Sequence, residues 1–184
     1  MAKKPNRRPR DPQLRKEHIV AAAQRVFSRR GYSQAGMREI ADEAGGISSS
    51  LVSHHFGSKA QLFEAALVQL FESSPVFSFD RINFGETFVS YVVERLEGPT
   101  IGAMIALSTG DEEARAITAR FSEEYSLAKL AEWLGGENAR ARAYSIMSLS
   151  IGLGLFGREL PLNQPPEGAL EWAATTIQRL VDNQ

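Results

Sequence analysis

The chain has 184 residues, enough for one large domain or two small ones around a sizeable core. It contains no cysteine, which excludes disulfides, thiolate metal sites and cysteine nucleophiles and agrees with a reducing cytoplasm. No segment approaches the roughly 20 consecutive apolar residues that span a bilayer, and no apolar run follows the basic N-terminus as in a secretory signal. We therefore expect a soluble cytoplasmic protein.

The formal net charge of −1 hides two parts of opposite sign. Residues 1–59 hold 12 Lys/Arg against 5 Asp/Glu, a net charge of +7, whereas residues 60–184 hold 9 against 17, a net charge of −8. A chance asymmetry of surface charge is one explanation. The other is a DNA-binding domain joined to a separate acidic body.

Residues 1–10 form a basic arm that carries two prolines and almost no apolar side chain. Such a segment cannot fold alone, so we expect it to be disordered in the free protein. It is either a solubilising tail or an arm in which Arg7, Arg8 and Arg10 contact phosphates or enter the minor groove.

Residues 11–57 read as a compact helical domain. Asp11-Pro12 resembles an N-cap followed by proline at the first helical position, and Gly31 ends a helix that extends to about Arg30. A short helix over residues 37–44 then stops at the pair Gly45-Gly46, because glycine adopts positive φ at no steric cost.

A second short helix begins at Ser48, which is its predicted N-cap, and Leu51, Val52 and Phe56 anchor one side of it. Two short helices and a glycine turn make a helix-turn-helix, whose second helix enters the major groove of DNA. The candidate DNA-binding residues outside the arm are Ser48, Ser49, Ser50, Ser53, His54, His55 and Lys59. Ser58 and Gln61 predict a capping box, which puts the positive end of a new helix beside Lys59.

The sequence of this region resembles the DNA-binding motif of the TetR family of transcriptional repressors. The matching segments are Ile40-Ala41, Ala44-Gly45, Ile47-Ser48, Leu51-Val52, His54-His55-Phe56 and Ser58-Lys59, and the resemblance extends from about Arg15 to Phe63. The turn has one more glycine than the usual pattern, and Ser53 stands where a phosphate-contacting tyrosine is common. Both departures affect individual DNA contacts and leave the fold assignment intact.

Residues 58–184 show no strand pattern, since apolar residues recur at intervals of three and four. After the helix that begins at Ser58 and a loop over 73–80, we expect helices over 84–96, 101–107 and 111–134, and Asp111 is the predicted N-cap of the last of these. Two more follow over 137–160 and 170–181. The fold class is therefore all-α: a three-helix helix-turn-helix domain followed by a larger helical regulatory and dimerisation domain.

Between Ala143 and Phe156 only serines and glycines interrupt the apolar residues, so this helix must be covered nearly all round. It is either the central helix of a monomeric bundle or half of a homodimer interface. We favour the homodimer, because an operator-reading helix-turn-helix normally uses two half-sites. The TetR resemblance implies the same pairing through the last two helices. The candidate interface residues are Ser148, Gly152, Leu153, Phe156, Trp172, Ile177 and Leu180.

The TetR resemblance also implies that the second domain binds a small molecule and changes the spacing of two DNA-binding domains. Six side chains could line a mostly apolar cavity for such a ligand, although a residue of each kind is more often part of an ordinary core. They are Phe88, Tyr91, Met104, Tyr125, Trp133 and Met147.

No enzyme site is predicted. The only candidate metal pair, His54-His55, consists of neighbours that point about 100° apart on a helix, so chelation of one ion is unfavourable. All three histidines lie in the basic part, which argues against a Ser-His-Asp hydrolase. No phosphate-cradling glycine loop is present, and no cofactor is expected.

The sequence therefore predicts a homodimeric repressor that binds a palindromic operator in double-stranded DNA and is released by a small apolar or amphipathic effector. Two alternatives stay open: a DNA-binding or architectural dimer without a ligand, and an α-helical enzyme or interaction module with a vestigial helix-turn-helix.

Overall fold

The computed structural model describes residues 12–95, 97–158 and 165–183. The arm of residues 1–10 lies outside them, so the predictions for Arg7, Arg8 and Arg10 do too. The described residues form no strand, as predicted, and ten α-helices: α1 (Pro12–Gln34), α2 (Met37–Glu43), α3 (Ser49–Phe56), α4 (Lys59–Glu72), α5 (Phe84–Glu94), α6 (Ile101–Ala106), α7 (Glu112–Phe121), α8 (Ala128–Leu134), α9 (Ala139–Arg158) and α10 (Ala169–Asp182). None of these helices is long and apolar enough to cross a membrane.

The N-caps predicted at Ser48, Ser58 and Asp111 are confirmed. Ser48 Oγ accepts a hydrogen bond from the Leu51 amide at 3.2 Å, and Asp111 Oδ1 accepts one from the Ala114 amide at 3.0 Å. At Ser58 both halves of the capping box form, because Gln61 Oε1 also accepts from the Ser58 amide at 2.9 Å. Local side-chain chemistry therefore sets where α3, α4 and α7 begin.

Two hydrophobic cores hold the helices together. The first contains Ile19, Phe27 and Phe63 from α1 and α4, together with Met104 and Phe121 from α6 and α7. The second lies among α5, α8, α9 and α10, around Phe84, Ile146 and Ile177. The boundary predicted after residue 57 lies at the end of the helix-turn-helix motif. The packing, in contrast, places α4, α6 and α7 in the same core as the helix-turn-helix.

The predicted single helix over 111–134 is interrupted. A π-helical segment, Ser122–Leu127, separates α7 from α8. Phe121, just before it, belongs to the first core, whereas Leu127 and Leu130 belong to the second. The wider π turn changes the phase of the apolar face, which lets one continuous helical stretch serve both cores.

The extra glycine of the helix-turn-helix is accommodated in the turn itself. Gly45 and Gly46 have φ of 98° and 71°, a region that side chains with Cβ rarely adopt. The Ile47 amide donates to the Ala41 carbonyl at 3.1 Å, so the closing hydrogen bond spans one residue more than in a Schellman motif. The added residue widens the turn, and α3 still buries Val52 completely.

The end of α1 is fixed to the turn that follows α6 and to the start of α7. We call the residues of this contact the joint: Gly31, Tyr32, Ser33, Leu107, Ser108, Asp111 and Glu113. Gly31 has φ 69° and ψ 175°, which breaks the helical geometry of α1 as predicted, and a Cβ there would lie 2.2 Å from the Leu107 carbonyl oxygen. The Tyr32 amide donates to Ser108 Oγ at 3.0 Å. Ser33 Oγ donates to Asp111 at 3.0 Å, and the Tyr32 hydroxyl donates to Glu113.

Substitution of Gly31→Ala should lower the free energy of unfolding by about 2 kcal/mol or more. The backbone conformation is accessible essentially to glycine alone, and the added methyl would meet a backbone oxygen. The matched control is Gly110→Ala, because a Cβ at Gly110 has nothing within 4 Å. Urea denaturation curves with equal midpoints for the two variants would contradict this description of the joint.

Candidate nucleic-acid interface and internal cavity

The outer side of α3 presents small polar groups. Val52 is fully buried and fixes the helix against the first core, while Ser50, Ser53 and His54 are exposed and form what we call the reading face. Ser48 is also exposed, but its hydroxyl is engaged by the Leu51 amide and lies 3.0 Å from Ser50 Oγ. Hydroxyls and an imidazole at this spacing can donate to or accept from base edges in a major groove.

Two residues of α3 that were predicted to contact DNA, Ser49 and His55, are less accessible than the reading face. Ser49 is half-buried. His55 is half-buried as well, and its Nε2 is enclosed without a hydrogen-bond partner among the described residues. Desolvation, followed by the charges of His54, Lys16 and Arg15, lowers the pKa of His55. An imidazole shifted towards its neutral form is a poor cation for a phosphate, so a packing role suits the surroundings of His55 better than a phosphate contact.

Lys59 lies at the N-terminus of α4, as predicted, but its side chain turns towards the joint. Its ammonium group is 4.4 Å from the centroid of the Tyr32 ring and 3.5 Å from the Ser33 carbonyl oxygen. Desolvation lowers the pKa of Lys59, while the carboxylates of Asp111 and Glu113 oppose that shift. A contact with a phosphate therefore requires the side chain to rotate away from Tyr32.

Basic residues of α1 that the sequence analysis did not single out are paired with α2. Arg25 forms an ion pair with Glu43 at 2.7 Å, and Arg29 and Arg30 lie 3.3 and 3.4 Å from Glu39. These partly exposed pairs each contribute little to stability, but together they orient α2 against α1. The carboxylates of Glu39 and Glu43 also neutralise part of the positive charge of the domain. No group of three or more potential metal ligands occurs among the described side chains.

A cavity of about 170 Å³ lies among α4, α5, α6 and α9. Of the six residues predicted to line one, Phe88, Tyr91 and Met147 do so. Other lining residues, which the sequence pattern did not separate from ordinary core, include Phe71, Arg95, Ile101, Ile105, Ile146 and Ile151. The only charged side chain among the described lining residues is that of Arg95.

The other three predicted cavity residues lie elsewhere, and this corrects the sequence interpretation. Met104 is fully buried in the first core because it is on the face of α6 that packs against α1. Tyr125 stacks on Phe121 at 5.8 Å between ring centroids. Trp133 packs on Phe84 and receives the guanidinium of Arg81 over its ring at 4.5 Å, so it is held in the second core.

The outer sides of α9 and α10 carry large exposed apolar side chains. Trp172, predicted as an interface residue, is 63% exposed, and Phe156 is 55% exposed. Tyr144 and Leu155, which were not predicted, extend the same surface with 66% and 36% exposure. We call these four residues and the exposed Ser148 the α9–α10 stripe.

The remaining predicted interface residues are less accessible. Gly152, Leu153 and Leu180 are half-buried, and the two leucines pack against the second core. Ile177 is fully buried within the subunit, which corrects its assignment to an interface. Its position in the apolar repeat of α10 could not distinguish the inward edge of that face from the outward one.

Two family models match most of the chain. The model of bacterial regulatory proteins of the tetR family matches residues 19–66, and that of the tetracyclin repressor-like C-terminal domain matches residues 83–181. The chain belongs to the TetR family. It is accordingly a DNA-binding transcriptional regulator and not an enzyme.

Several proteins of known regulatory class are similar to this TetR-family chain. The transcriptional regulator BetI of Vibrio parahaemolyticus is 29% identical over 164 residues, which cover 79% of this chain and 81% of BetI. The transcriptional activator FasR of Mycolicibacterium smegmatis is 48% identical over 62 residues, 34% of this chain and 27% of FasR. The chain thus matches only about a quarter of the length of FasR, and the same holds for the repressor KstR2 of that species.

Solved structures share the fold. A TetR-family regulator from Agrobacterium tumefaciens superposes with a TM-score of 0.64 at 18% identity, covering 94% of this chain and 98% of that one. The multidrug binding protein EbrR, complexed with ethidium, superposes with a TM-score of 0.60 at 21% identity, covering 92% of this chain and 99% of EbrR. At these identities the likeness extends to the fold alone.

We expect Lys59→Met to reduce the slope of log affinity against log salt concentration by about one, because one phosphate contact accounts for roughly 0.9. Affinity should fall alike on specific and unrelated DNA, since phosphate contacts do not read sequence. Lys129→Met is the matched control, as Lys129 lies over Phe71 and Tyr125 in the regulatory part. A salt titration with an unchanged slope would restrict Lys59 to its place over Tyr32.

Proposed function

We propose that this TetR-family regulator is a cytoplasmic homodimeric repressor that binds a palindromic operator and is released from it by a small apolar or amphipathic effector. The observation that carries the proposal is the co-occurrence, in one subunit, of the reading face on α3, the α9–α10 stripe and an apolar cavity between them. Each feature supports one part of the function: sequence reading, dimerisation and release.

The reading face supports base recognition by α3. Ser50, Ser53 and His54 point away from the core from one side of a helix that Val52 holds in place. Lys59 and the capped N-terminus of α4, next to α3, supply the phosphate contacts that fix the register of the helix. In this proposal Lys59 exchanges the Tyr32 ring for a phosphate when DNA binds.

The α9–α10 stripe supports a twofold dimer. Exposed aromatic side chains of this size are uncommon on the free surface of a monomer, and Tyr, Trp and Phe are enriched at the centres of interfaces. A pair of subunits joined through this stripe presents two copies of α3 to the same duplex. The half-sites of the operator are then palindromic, because the symmetry of the protein is imposed on the DNA.

Helix α6 supports a route for release by an effector. Its residues Ile101, Gly102 and Ile105 line the cavity, whereas Ala103 and Met104 are buried on its opposite side. The turn after α6 carries Ser108, which accepts the hydrogen bond from the Tyr32 amide. A ligand that displaces α6 therefore displaces the joint. The ligand alters the occupancy of the operator only if it binds the two dimer conformations with different affinity.

Substituting Ser50→Ala or His54→Ala should change the preferred DNA sequence, because loss of one base contact costs about 1–3 kcal/mol of discrimination at one position. The measurement is selection of bound fragments from randomised DNA for each variant and the parent protein. Asp42→Asn serves as control, since Asp42 is exposed on α2 outside the reading face. Variants that recover the parental half-site with uniformly weaker binding would contradict base reading by these residues.

The double substitution Phe156→Glu with Trp172→Glu should weaken dimerisation by about 30-fold or more, since truncation of a buried interface aromatic costs about 2 kcal/mol or more. Ile82→Glu is the matched control, as Ile82 is 86% exposed and lies outside the stripe. Analytical ultracentrifugation reports the mass, and binding to a two-half-site duplex should be lost with the dimer. A double variant that stays dimeric would remove the stripe from the proposal.

A further inference from the structure

We propose that the effector is an amphipathic anion whose apolar body fills the cavity and whose anionic group binds the guanidinium of Arg95. The inference rests on the proposed use of the cavity as the effector site and adds the chemical class of the ligand. A carboxylate and a phosphate share the chemistry concerned, namely a negative group of two or more oxygens.

The charge of the cavity favours an anion. Its described lining is otherwise neutral: mostly aliphatic and aromatic side chains with the hydroxyls of Ser74, Tyr91, Thr100, Ser126 and Ser150. No Asp or Glu is among these residues. A cationic ligand would enter the cavity without a counter-ion and meet the positive charge of Arg95, whereas an anionic ligand would find its partner there.

Arg95 is oriented and available for a ligand. Its guanidinium carbon lies 5.0 Å from the centroid of the Tyr91 ring, so the flat group contacts an aromatic ring. A guanidinium that contacts the face of a ring can still donate its N–H groups to a planar carboxylate. Arg95 forms no ion pair with a carboxylate of the described residues, in contrast to Arg25, Arg120 and Arg140.

Tyr91 is itself held in place, which fixes the platform under Arg95. Its hydroxyl lies 3.3 Å from Ser74 Oγ, and its ring meets the Phe79 ring edge-on at 5.6 Å. Arg95 is exposed, while Phe88 and Ile146 are buried deeper along the same cavity. The ligand is thus oriented with its charged end at the solvent edge and its apolar end inside.

The size of the cavity sets the probe. At about 170 Å³ it is close to an engineered apolar cavity of about 150 Å³ that accommodates benzene, so one aromatic ring with a short chain is a suitable body. The probes are 4-phenylbutyrate, its neutral amide 4-phenylbutanamide and the cation 4-phenylbutylamine. The three compounds have nearly the same shape and differ in charge, which isolates the contribution of Arg95.

Isothermal titration calorimetry on the full-length protein, without DNA, should give about fivefold tighter binding of the carboxylate than of the amide, and the weakest binding for the amine. The factor is that of an exposed ion pair. Arg95→Met, which keeps the apolar stem, should abolish the preference, and Arg95→Lys should retain part of it. Arg115→Met, an exposed arginine outside the cavity lining, should leave it unchanged.

Equal affinities for the three compounds, a preference for the amine, or no binding of the carboxylate at millimolar concentration would each overturn the proposal. So would a carboxylate preference that persists in Arg95→Met. Release of DNA is measured separately, by fluorescence anisotropy of a labelled operator. A carboxylate that binds through Arg95 and leaves the operator bound would support the ligand class and contradict the proposed effector function, so the two failures are distinguishable.

Discussion

The two-sided packing of α6 is the constraint on which the rest of the structure depends. This helix spans only Ile101–Ala106, yet one side lines the cavity and the other is buried in the core of the helix-turn-helix. Because interiors are close-packed, α6 cannot shift on the cavity side without moving its contacts with α1. The helix-turn-helix and the cavity therefore belong to one packed unit.

The joint strengthens this connection with polar contacts. Gly31 permits a backbone approach that any side chain would block, and Tyr32 then bonds to Ser108 through its amide and to Glu113 through its hydroxyl. Burial, with the hydrogen bond to Glu113, raises the pKa of Tyr32, so the hydroxyl stays a donor. The ammonium group of Lys59 lies over the same ring. Lys59, which is proposed to bind a phosphate, thus contacts the joint, which is proposed to move when a ligand binds.

The sequence predicted what depends on local chemistry. The caps at Ser48, Ser58 and Asp111, the break at Gly31 and the exposure of Ser50 and His54 follow from residue type and spacing, and the structure has all of them. Which apolar side chains face a cavity depends on tertiary packing. Met104 and Tyr91 are equally suited to lining a pocket by residue type. They differ because Met104 is on the side of α6 that packs in the first core, whereas Tyr91 is on the side of α5 that lines the cavity.

The same limit explains the other differences. Ile177 and Trp172 belong to one amphipathic helix, but periodicity alone did not tell its core side from its outer edge. The assignment of α4, α6 and α7 to the first core was missed because sequence motifs mark local units, whereas cores join segments distant in the chain. Lys59 lies over the ring of Tyr32, and its pKa responds to Asp111 and Glu113, which are more than fifty residues away in sequence.

The most direct test of the central claim is the distance between the two DNA-binding domains of the proposed dimer. Because the chain has no cysteine, Asp42→Cys gives one spin label per subunit on the exposed end of α2, and pulsed electron paramagnetic resonance measures their separation. With a compound that calorimetry shows to saturate the cavity, we predict a shifted distance and a weaker operator complex. An unchanged distance distribution with the cavity occupied would contradict the account.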